Sequence, residues 1–466
     1  MNPHRLALAS LCLTMLMPSL DTSIANASLP VLAHALGASF AQVQWVVLSY
    51  LLAITALIVG AGRLGDLLGR GRLLAAGIAV FTGASLLCGL APTLATLVAA
   101  RALQGLGAAA MLALTVALVG ETLPKERTGS AMGLLGTMSA IGTTLGPSLG
   151  GALTAGLGWR AIFLVNVPIG LVTLWLARRH LPMARPSASG ARPRFDIAGT
   201  ALLAGALAAY AFAMTLGRGH ALALLAVALA GALAFVAVES RAAAPLVRLA
   251  LFRDPARSAG LAATALVATV IATTLVVGPF YLAGALGLPA ALVGLVLSCG
   301  PMVAAFTGAP AGRLVDRVGA SRTALAGLVA MAGGALLLAL LPTALGLAGW
   351  LAGIVVLTVG YASFQAANNT ALMQGADATQ RGLVSGLLSL ARNLGLITGV
   401  AAMGAVFAAA SSATDVTGAA PAALAHGMHR TFAIDAALMG IGFALALAGA
   451  RARRRNASGA VSQLPV

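Results

Sequence analysis

Two stretches of this chain, from Arg257 to Arg313 and from Arg322 to Asp377, contain no Asp, Glu, Lys or Arg between their ends. A helix rises about 1.5 Å per residue and needs roughly 20 apolar residues to cross a hydrocarbon core about 30 Å thick, so each stretch holds two crossings. A water-soluble domain carries charge on about a quarter of its residues. Here 8% of 466 residues are charged and 60% are hydrophobic. Such a chain cannot wet its own surface, and a bilayer is the solvent in which it folds.

Breaks at charges and at Pro/Gly-rich turns divide the chain into fourteen predicted spans: 6–29, 43–62, 73–91, 94–118, 130–153, 160–178, 196–216, 221–239, 258–282, 290–310, 323–341, 346–370, 383–408 and 431–450. Gly and Pro interrupt several of them, which membrane helices tolerate. Leu6 to Leu20 could pass for a signal-peptide core, but it runs on into Asp21 and Asn26 without a cleavage site and so begins an uncleaved first span. Cys12, Cys88 and Cys299 lie in apolar runs and suggest neither a disulfide framework nor a metal site.

A formal charge of +17 would suit nucleic acid. The basic residues, however, sit in short loops beside apolar runs, as cytoplasmic membrane loops do, so no nucleic-acid partner is expected. With the N-terminus placed in the cytoplasm, 23 of the 28 Lys and Arg residues fall on the cytoplasmic side. The 3 on the other side are Arg160, Arg218 and Arg430, and Arg101 and Arg392 lie inside spans. This asymmetry predicts cytoplasmic termini, with the longest outer loop at 409–429 and His426 and His429 solvated in it.

The loops Gly62 to Arg72 and Gly312 to Arg322 both read G-R-L-x-D-x-x-G-x-x-R, 250 positions apart. Gly133, Leu134, Leu135, Gly142 and Gly146 recur 253 positions later as Gly386, Leu387, Leu388, Gly395 and Gly399. Two matches at nearly one offset mark a duplication that pairs the first six spans with the last six. The seventh and eighth are then an insert. The expected fold is all-α and integral to the membrane, with two six-helix halves (1–185 and 246–452), a two-helix insert with its linker (186–245) and a tail (453–466). Parallel six-helix repeats with a substrate site between them build one large transporter class.

Several stretches in order carry a resemblance: Leu20 to Pro30, Gly62 to Arg72, Arg101 to Gly107, Gly142 to Gly151 and Trp159 to Pro168. With these the sequence resembles the major facilitator superfamily over almost its whole length, specifically the fourteen-helix drug:proton antiporter branch. The resemblance implies that Gly142, Gly146, Pro147 and Gly150 form the antiporter motif, and that Gly62, Asp66, Gly69, Arg70, Arg72, Asp316 and Arg317 form cytoplasmic switch loops. In the first loop Leu67 stands where the family has a basic residue and Gly71 breaks the basic run, whereas the second loop keeps Asp316 next to Arg317.

The residue types have their own physical reading. Glycines four apart form a smooth stripe that a neighbouring helix can approach closely, and Pro147 permits a bend. Charges inside spans are costly and mark function. Asp21 lies fifteen residues past Leu6, about 22 Å in from the cytoplasmic side, and Arg101 seven residues past Leu94, about 10 Å from the outer side. Both therefore reach a similar depth, and Asp21 with Arg101 as its partner is the expected proton-coupling pair. Asn26, Gln104, Met302, Phe306, Gln365, Asn368, Arg392 and Asn393 are the expected cavity residues. Asp435 is expected about one turn into the last span, within reach of water. Asp21 is then the only acid deep in a span, which favours monovalent cations or neutral compounds over divalent ones.

By resemblance the chain is a proton-coupled antiporter that exports small hydrophobic or cationic compounds, antibiotics among them, by alternating access from a bacterial cytoplasmic membrane. The alternative is a proton-coupled importer of a small nutrient, against which the glycine–proline motif argues. No Walker-type phosphate loop occurs, so ATP is not the expected driver. No His/Asp/Glu cluster at one depth suggests catalysis or a metal, so neither enzyme activity nor a cofactor is expected. The expected partners are a small-molecule substrate, protons and the lipid bilayer, and the sequence leaves a periplasmic adaptor open.

Overall fold

The computed structural model describes residues 3–122, 125–183, 196–216, 218–242, 246, 249–374, 381–411 and 416–461. Arg185, Arg192 and Arg194 of the expected linker lie outside these. Among the described residues all regular structure is helical: α1 (Pro3–Ala27), α2 (Trp45–Leu68), α3 (Arg70–Leu90), α4 (Leu94–Thr122), α5 (Lys125–Leu157), α6 (Asn166–His180), α7 (Ile197–Thr215), α8 (Arg218–Arg241), α9 (Pro255–Phe280), α10 (Ala290–Val318), α11 (Ala320–Leu340), α12 (Gly346–Gln374), α13 (Arg381–Thr398) and α14 (Pro421–Val461), with short turns between. In hydrocarbon every backbone polar group must be satisfied within the segment, which only helices and closed barrels achieve.

Thirteen described helical segments are long and apolar enough to cross a membrane. The expected span 130–153 is not one of them, although it lies inside the 33-residue α5. Its six glycines, three serines and three threonines dilute its apolar character. Helix starts follow ordinary capping: Asp254 accepts from the Ala256 N–H at 3.0 Å before Pro255, and Asp196 from the Gly199 N–H at 2.7 Å. Several helices run past their expected bounds, α10 to Val318 instead of 310 and α2 to Leu68 instead of 62, and one such difference moves a site residue. α14 begins at Pro421, not at 431, so much of the expected outer loop at 409–429 is helix. Pro suits the first turn of a helix, while His426, His429 and Arg430 hid that turn from a reading by apolar runs. His426 is exposed on the helix and His429 half-buried.

The repeat reappears as packing. On α5, a methyl placed on Gly142 would lie 2.7 Å from the Leu16 carbonyl of α1, while Gly146 abuts Ser23 and Gly150 abuts Ile24. Ser23 donates to the Thr143 carbonyl at 2.8 Å, and the Ser19 and Ser139 hydroxyls are 2.7 Å apart. Gly395 on α13 and Gly399, in the turn that continues it, abut the carbonyls of Ala265 and Thr269 on α9. Gly133 and its counterpart Gly386 both face open space. Fifth helix on first helix, through small residues, is the common unit of both halves.

Two seams join the halves at the end away from the Gly69 and Gly319 turns. Along one, α5 meets α10: Gly151 abuts the Ala290 carbonyl, Gly294 abuts the Pro147 carbonyl, and the Ser148 N–H donates to Ser298 Oγ at 3.1 Å. Along the other, α13 meets α2: Gln44 Nε2 donates to the Val400 carbonyl at 2.7 Å and lies against Gly404. Helices α7 and α8 pack on each other, and α7 leans on α2, where Trp45 Nε1 donates to Thr215 Oγ1 at 3.1 Å.

Candidate functional site

Two helices of the first half, α4 and α6, converge on Asp21 of α1. Arg101, from α4, donates to Asp21 Oδ2 through Nη1, to the Val46 carbonyl through Nε at 2.9 Å, and to Gln104 Oε1 at 2.5 Å. Gln104, one turn further along α4, donates to Asp21 Oδ1 at 2.9 Å and to Ser85 Oγ at 2.8 Å. Asn166, at the start of α6, donates to the same Oδ1 at 2.8 Å. The guanidinium carbon lies 4.2 Å from the Tyr50 ring centre and 5.7 Å from that of Phe163, close enough for cation–π attraction. Asp21 is 1% exposed and Arg101 not at all. A buried charge pair persists only with good geometry and further hydrogen bonds, and this one has both. It also leaves capacity unused: Arg101 Nη2 and Asn166 Oδ1 have no partner among the described residues.

The expected meeting of Asp21 and Arg101 is thus present in the structure. Gln104 belongs to this cluster, not to an open cavity. Asn26 lies one turn further along α1, buried, donating to the Thr22 carbonyl at 2.9 Å with its own oxygen unpartnered. Ser85, Tyr50 and Asn166 were not anticipated. Of these only Asn166 left a trace in the sequence, inside the stretch Trp159 to Pro168.

A second carboxyl is buried at depth. Because α14 starts at Pro421, Asp435 stands fourteen residues, or about 21 Å, into the helix and is 0% exposed. The expectations that it reaches water and that Asp21 is the only deep acid are both corrected. Thr273 of α9 donates to Asp435 Oδ1 at 3.3 Å, Oδ2 has no partner, and no cation among the described residues pairs with it.

An open cavity of about 220 Å³ lies between α9, α12 and α13, toward the end that carries the Gly69 and Gly319 turns. Gln365, Asn368 and Arg392 line it together with Tyr361, Asn369, Ser385 and Ser389. Asn368 is fixed to α9 by hydrogen bonds to the Gly260 carbonyl (3.1 Å) and Thr264 Oγ1 (2.8 Å). Asn393 follows Arg392 but is not part of the lining, and its buried amide nitrogen has no partner. Met302 and Phe306 are exposed on α10, also outside the lining.

The two loops expected to act as switches differ. Gly69 and Gly319 both adopt φ +91, a conformation that favours glycine, and so turn the chain alike. In the first loop Arg70 binds Asp66 (2.8 Å) and Glu121 at the end of α4 (2.6 Å), and Arg72 donates to the Met183 carbonyl at 3.1 Å. Gly65 lies against Leu114, whereas Gly62 faces open space. In the second loop Asp316 and Arg317 are exposed, and no ion pair forms there among the described residues. The first copy, which departs from the family pattern, is the one that holds a charge network.

Helices that span a bilayer, a charged cluster sealed at depth and a cavity open at one end define a multi-pass membrane transporter. The chain belongs to the Major Facilitator Superfamily, whose sequence profile matches residues 11–400 and again 261–463; it is a transporter, not an enzyme. It is 34% identical over 424 residues, 88% of this chain and 77% of the relative, to the multidrug resistance protein Stp of Mycobacterium tuberculosis. It is 29% identical over 413 residues, 88% of this chain and 89% of the relative, to the riboflavin transporter RibZ of Clostridioides difficile. Among solved structures, a bacterial homologue of the human lysosomal transporter Spinster, inward-facing and unoccupied, has the same fold. Its TM-score is 0.70 at 17% identity, over 97% of this chain and 98% of that one.

Proposed function

We propose that the protein is a proton-coupled exporter of small molecules, with Asp21 as the proton-binding carboxylate and Arg101 as its partner. The observation that carries this reading is the Asp21–Arg101 ion pair sealed at the centre of the first half. Asp21 stands on α1, which is held from one side by the α5 glycine stripe and from the other by Arg101, Gln104 and Asn166. A proton arriving at Asp21 removes the charge that Arg101 binds and loosens the hold of α4 and α6 on α1. The equilibrium between inward- and outward-open states then moves by the difference in proton affinity between them. Substrate enters the α9–α12–α13 cavity from the arginine-rich side, which the charge asymmetry assigns to the cytoplasm, as it does both termini. The working parts are the halves 1–185 and 246–452, with 186–245 as an insert that takes no part in binding. A relative named for multidrug resistance supports export. Import of a small nutrient is the second reading, favoured by a relative named as a riboflavin transporter.

The test is dye accumulation in everted membrane vesicles with an imposed pH gradient, acidic inside. The parent accumulates dye only while the gradient lasts. Both Asp21→Asn and the charge-balanced Asp21→Asn/Arg101→Gln, which strands no arginine, lose accumulation while remaining monodisperse in detergent. Accumulation and proton release equal to the parent's in Asp21→Asn would overturn the assignment, and gradient-driven dye loss from the same vesicles would favour import.

A further inference from the structure

We propose that the cavity between α9, α12 and α13 binds the acidic end of organic anions, with Arg392 as the anchoring cation. Among the described residues Arg392 is the one charged residue in the cavity lining. It stands eleven residues, about 17 Å, into α13, a depth at which an arginine is costly and marks function. It is exposed, and among the described residues it has neither an ion-pair nor a hydrogen-bond partner. A planar guanidinium presents donors in a fork that matches a carboxylate or sulfonate.

The rest of the wall suits the same guest. Gln365, Asn369, Ser385 and Ser389 add hydrogen-bonding groups around the cation, and Ile271, Phe364, Leu388 and Leu396 offer apolar contact for a ring or chain. A volume of about 220 Å³ takes one end of a drug-sized molecule.

A cationic guest finds no such anchor among the described residues. None of those lining the cavity is acidic, and the two deep carboxyls are shut away, Asp21 at 1% and Asp435 at 0% exposure. The sign of the cavity is therefore opposite to the cationic preference that the sequence alone suggested. This inference rests on the transport reading only for the statement that the bound anion is cargo. Binding itself needs no gradient.

Two xanthene dyes of similar size and opposite charge, fluorescein and rhodamine 123, separate the possibilities. Their binding to the purified full chain in phosphatidylcholine nanodiscs is read by fluorescence anisotropy, without a pH gradient. The parent binds fluorescein more tightly than rhodamine 123. Arg392→Gln weakens fluorescein at least about tenfold, the loss of one charge-assisted hydrogen bond, and leaves rhodamine 123 unchanged. Arg392→Lys, which keeps the charge and loses the fork, falls between. A parent that prefers rhodamine 123, or equal fluorescein binding by the parent and Arg392→Gln, would overturn the proposal. Repeating the titration with phosphatidylglycerol in the nanodisc distinguishes a soluble anion from a lipid headgroup. Unchanged fluorescein binding supports a solute site, and its loss assigns the cradle to lipid and overturns the proposal. Tight, Arg392-dependent fluorescein binding together with vesicles that move no dye would leave this inference standing and sink the proton-coupled reading.

Discussion

Each half of the molecule buries one carboxyl between its first and sixth helices, yet the two are built oppositely. In the first half the acid, Asp21, is on the first helix, α1, and the sixth, α6, supplies the Asn166 donor. In the second half the acid, Asp435, is on the sixth helix, α14, and the first, α9, supplies Thr273. Asp21 has an arginine and two amide donors. Asp435 has one hydroxyl at 3.3 Å, and that hydroxyl also lies 3.0 Å from the Thr269 carbonyl, so its single proton serves two acceptors. The duplication kept this helix pair, and with it the small-residue packing of the fifth helix on the first. Among the described residues the buried charge balance belongs to one half alone, so the proposed charge-linked switching would act in that half.

The largest expected effect comes from breaking that balance. Asp21→Asn keeps the shape of the side chain but strands Arg101, fully buried, without its anion. Removing one partner of a buried pair costs about 3–5 kcal/mol. Asp435→Asn strands no cation and retains an acceptor for Thr273, so its cost is expected below about 1 kcal/mol, the scale of one neutral hydrogen bond. Thermal unfolding in detergent, followed by intrinsic fluorescence, compares them. Equal melting temperatures for the two variants would erase the distinction between the halves. Asp21→Asn/Arg101→Gln should regain most of the lost stability without regaining transport, which separates the pair's structural role from its coupling role.

How far the sequence disclosed these sites follows from what each depends on. Asp21 and Arg101 were legible because a charge in an apolar run is conspicuous and depth follows from counting residues along a straight helix. Their neighbours were not: Ser85 and Tyr50 are ordinary residues in a membrane helix, and only the folded packing of α2 and α3 against α4 brings the Tyr50 ring to Arg101 and the Ser85 hydroxyl to Gln104. Asp435 was misplaced by a single error of register, since a polar first turn hides a helix start from hydropathy, although Pro421 was the available cue. Gln365, Asn368 and Arg392 were each conspicuous as polar residues in apolar spans. That they share one wall, and that no acid among the described residues joins them, needed the relative rotation of α9, α12 and α13. The difference between the switch loops was also invisible, because Arg70 finds its second acid, Glu121, at the far end of another helix.

A smaller effect tests what the halves share. Gly146 and its repeat partner Gly399 both sit where a methyl collides with the opposing helix, while Gly133 and Gly386 face open space. Gly146→Ala and Gly399→Ala are each expected to lower stability by about 1–3 kcal/mol through overpacking. Gly133→Ala and Gly386→Ala should raise it by up to about 1 kcal/mol, the helix-propensity gain of alanine over glycine. All four are read by the same melting experiment. A cost at Gly146 without one at Gly399 would mean that the common packing unit bears load in the first half only.

The smallest expected effect lies in the switch loops. The side chains of Arg70, Asp66 and Glu121 are 36%, 45% and 43% exposed, so solvent screens their attraction and their contribution to stability is about 0–1 kcal/mol. Arg70→Gln should therefore leave the melting temperature nearly unchanged. The network nevertheless joins the α2–α3 turn to the end of α4, the helix that carries Arg101, and it sits at the end where the cavity opens. A loss of up to about 1 kcal/mol in one conformation alone shifts the inward–outward ratio by up to about fivefold. A cysteine placed at Ser389 on the cavity wall, in a background with Cys12, Cys88 and Cys299 replaced by serine, reports that ratio through its rate of alkylation. Arg70→Gln should change the rate by no more than that factor, and added salt should bring the parent toward the variant, because an exposed pair weakens as ionic strength rises. Arg317→Gln, in the loop where no ion pair forms among the described residues, should change neither rate nor salt response. If Arg317→Gln alters alkylation and Arg70→Gln does not, the switch belongs to the second half and the functional asymmetry drawn from the two loops is reversed.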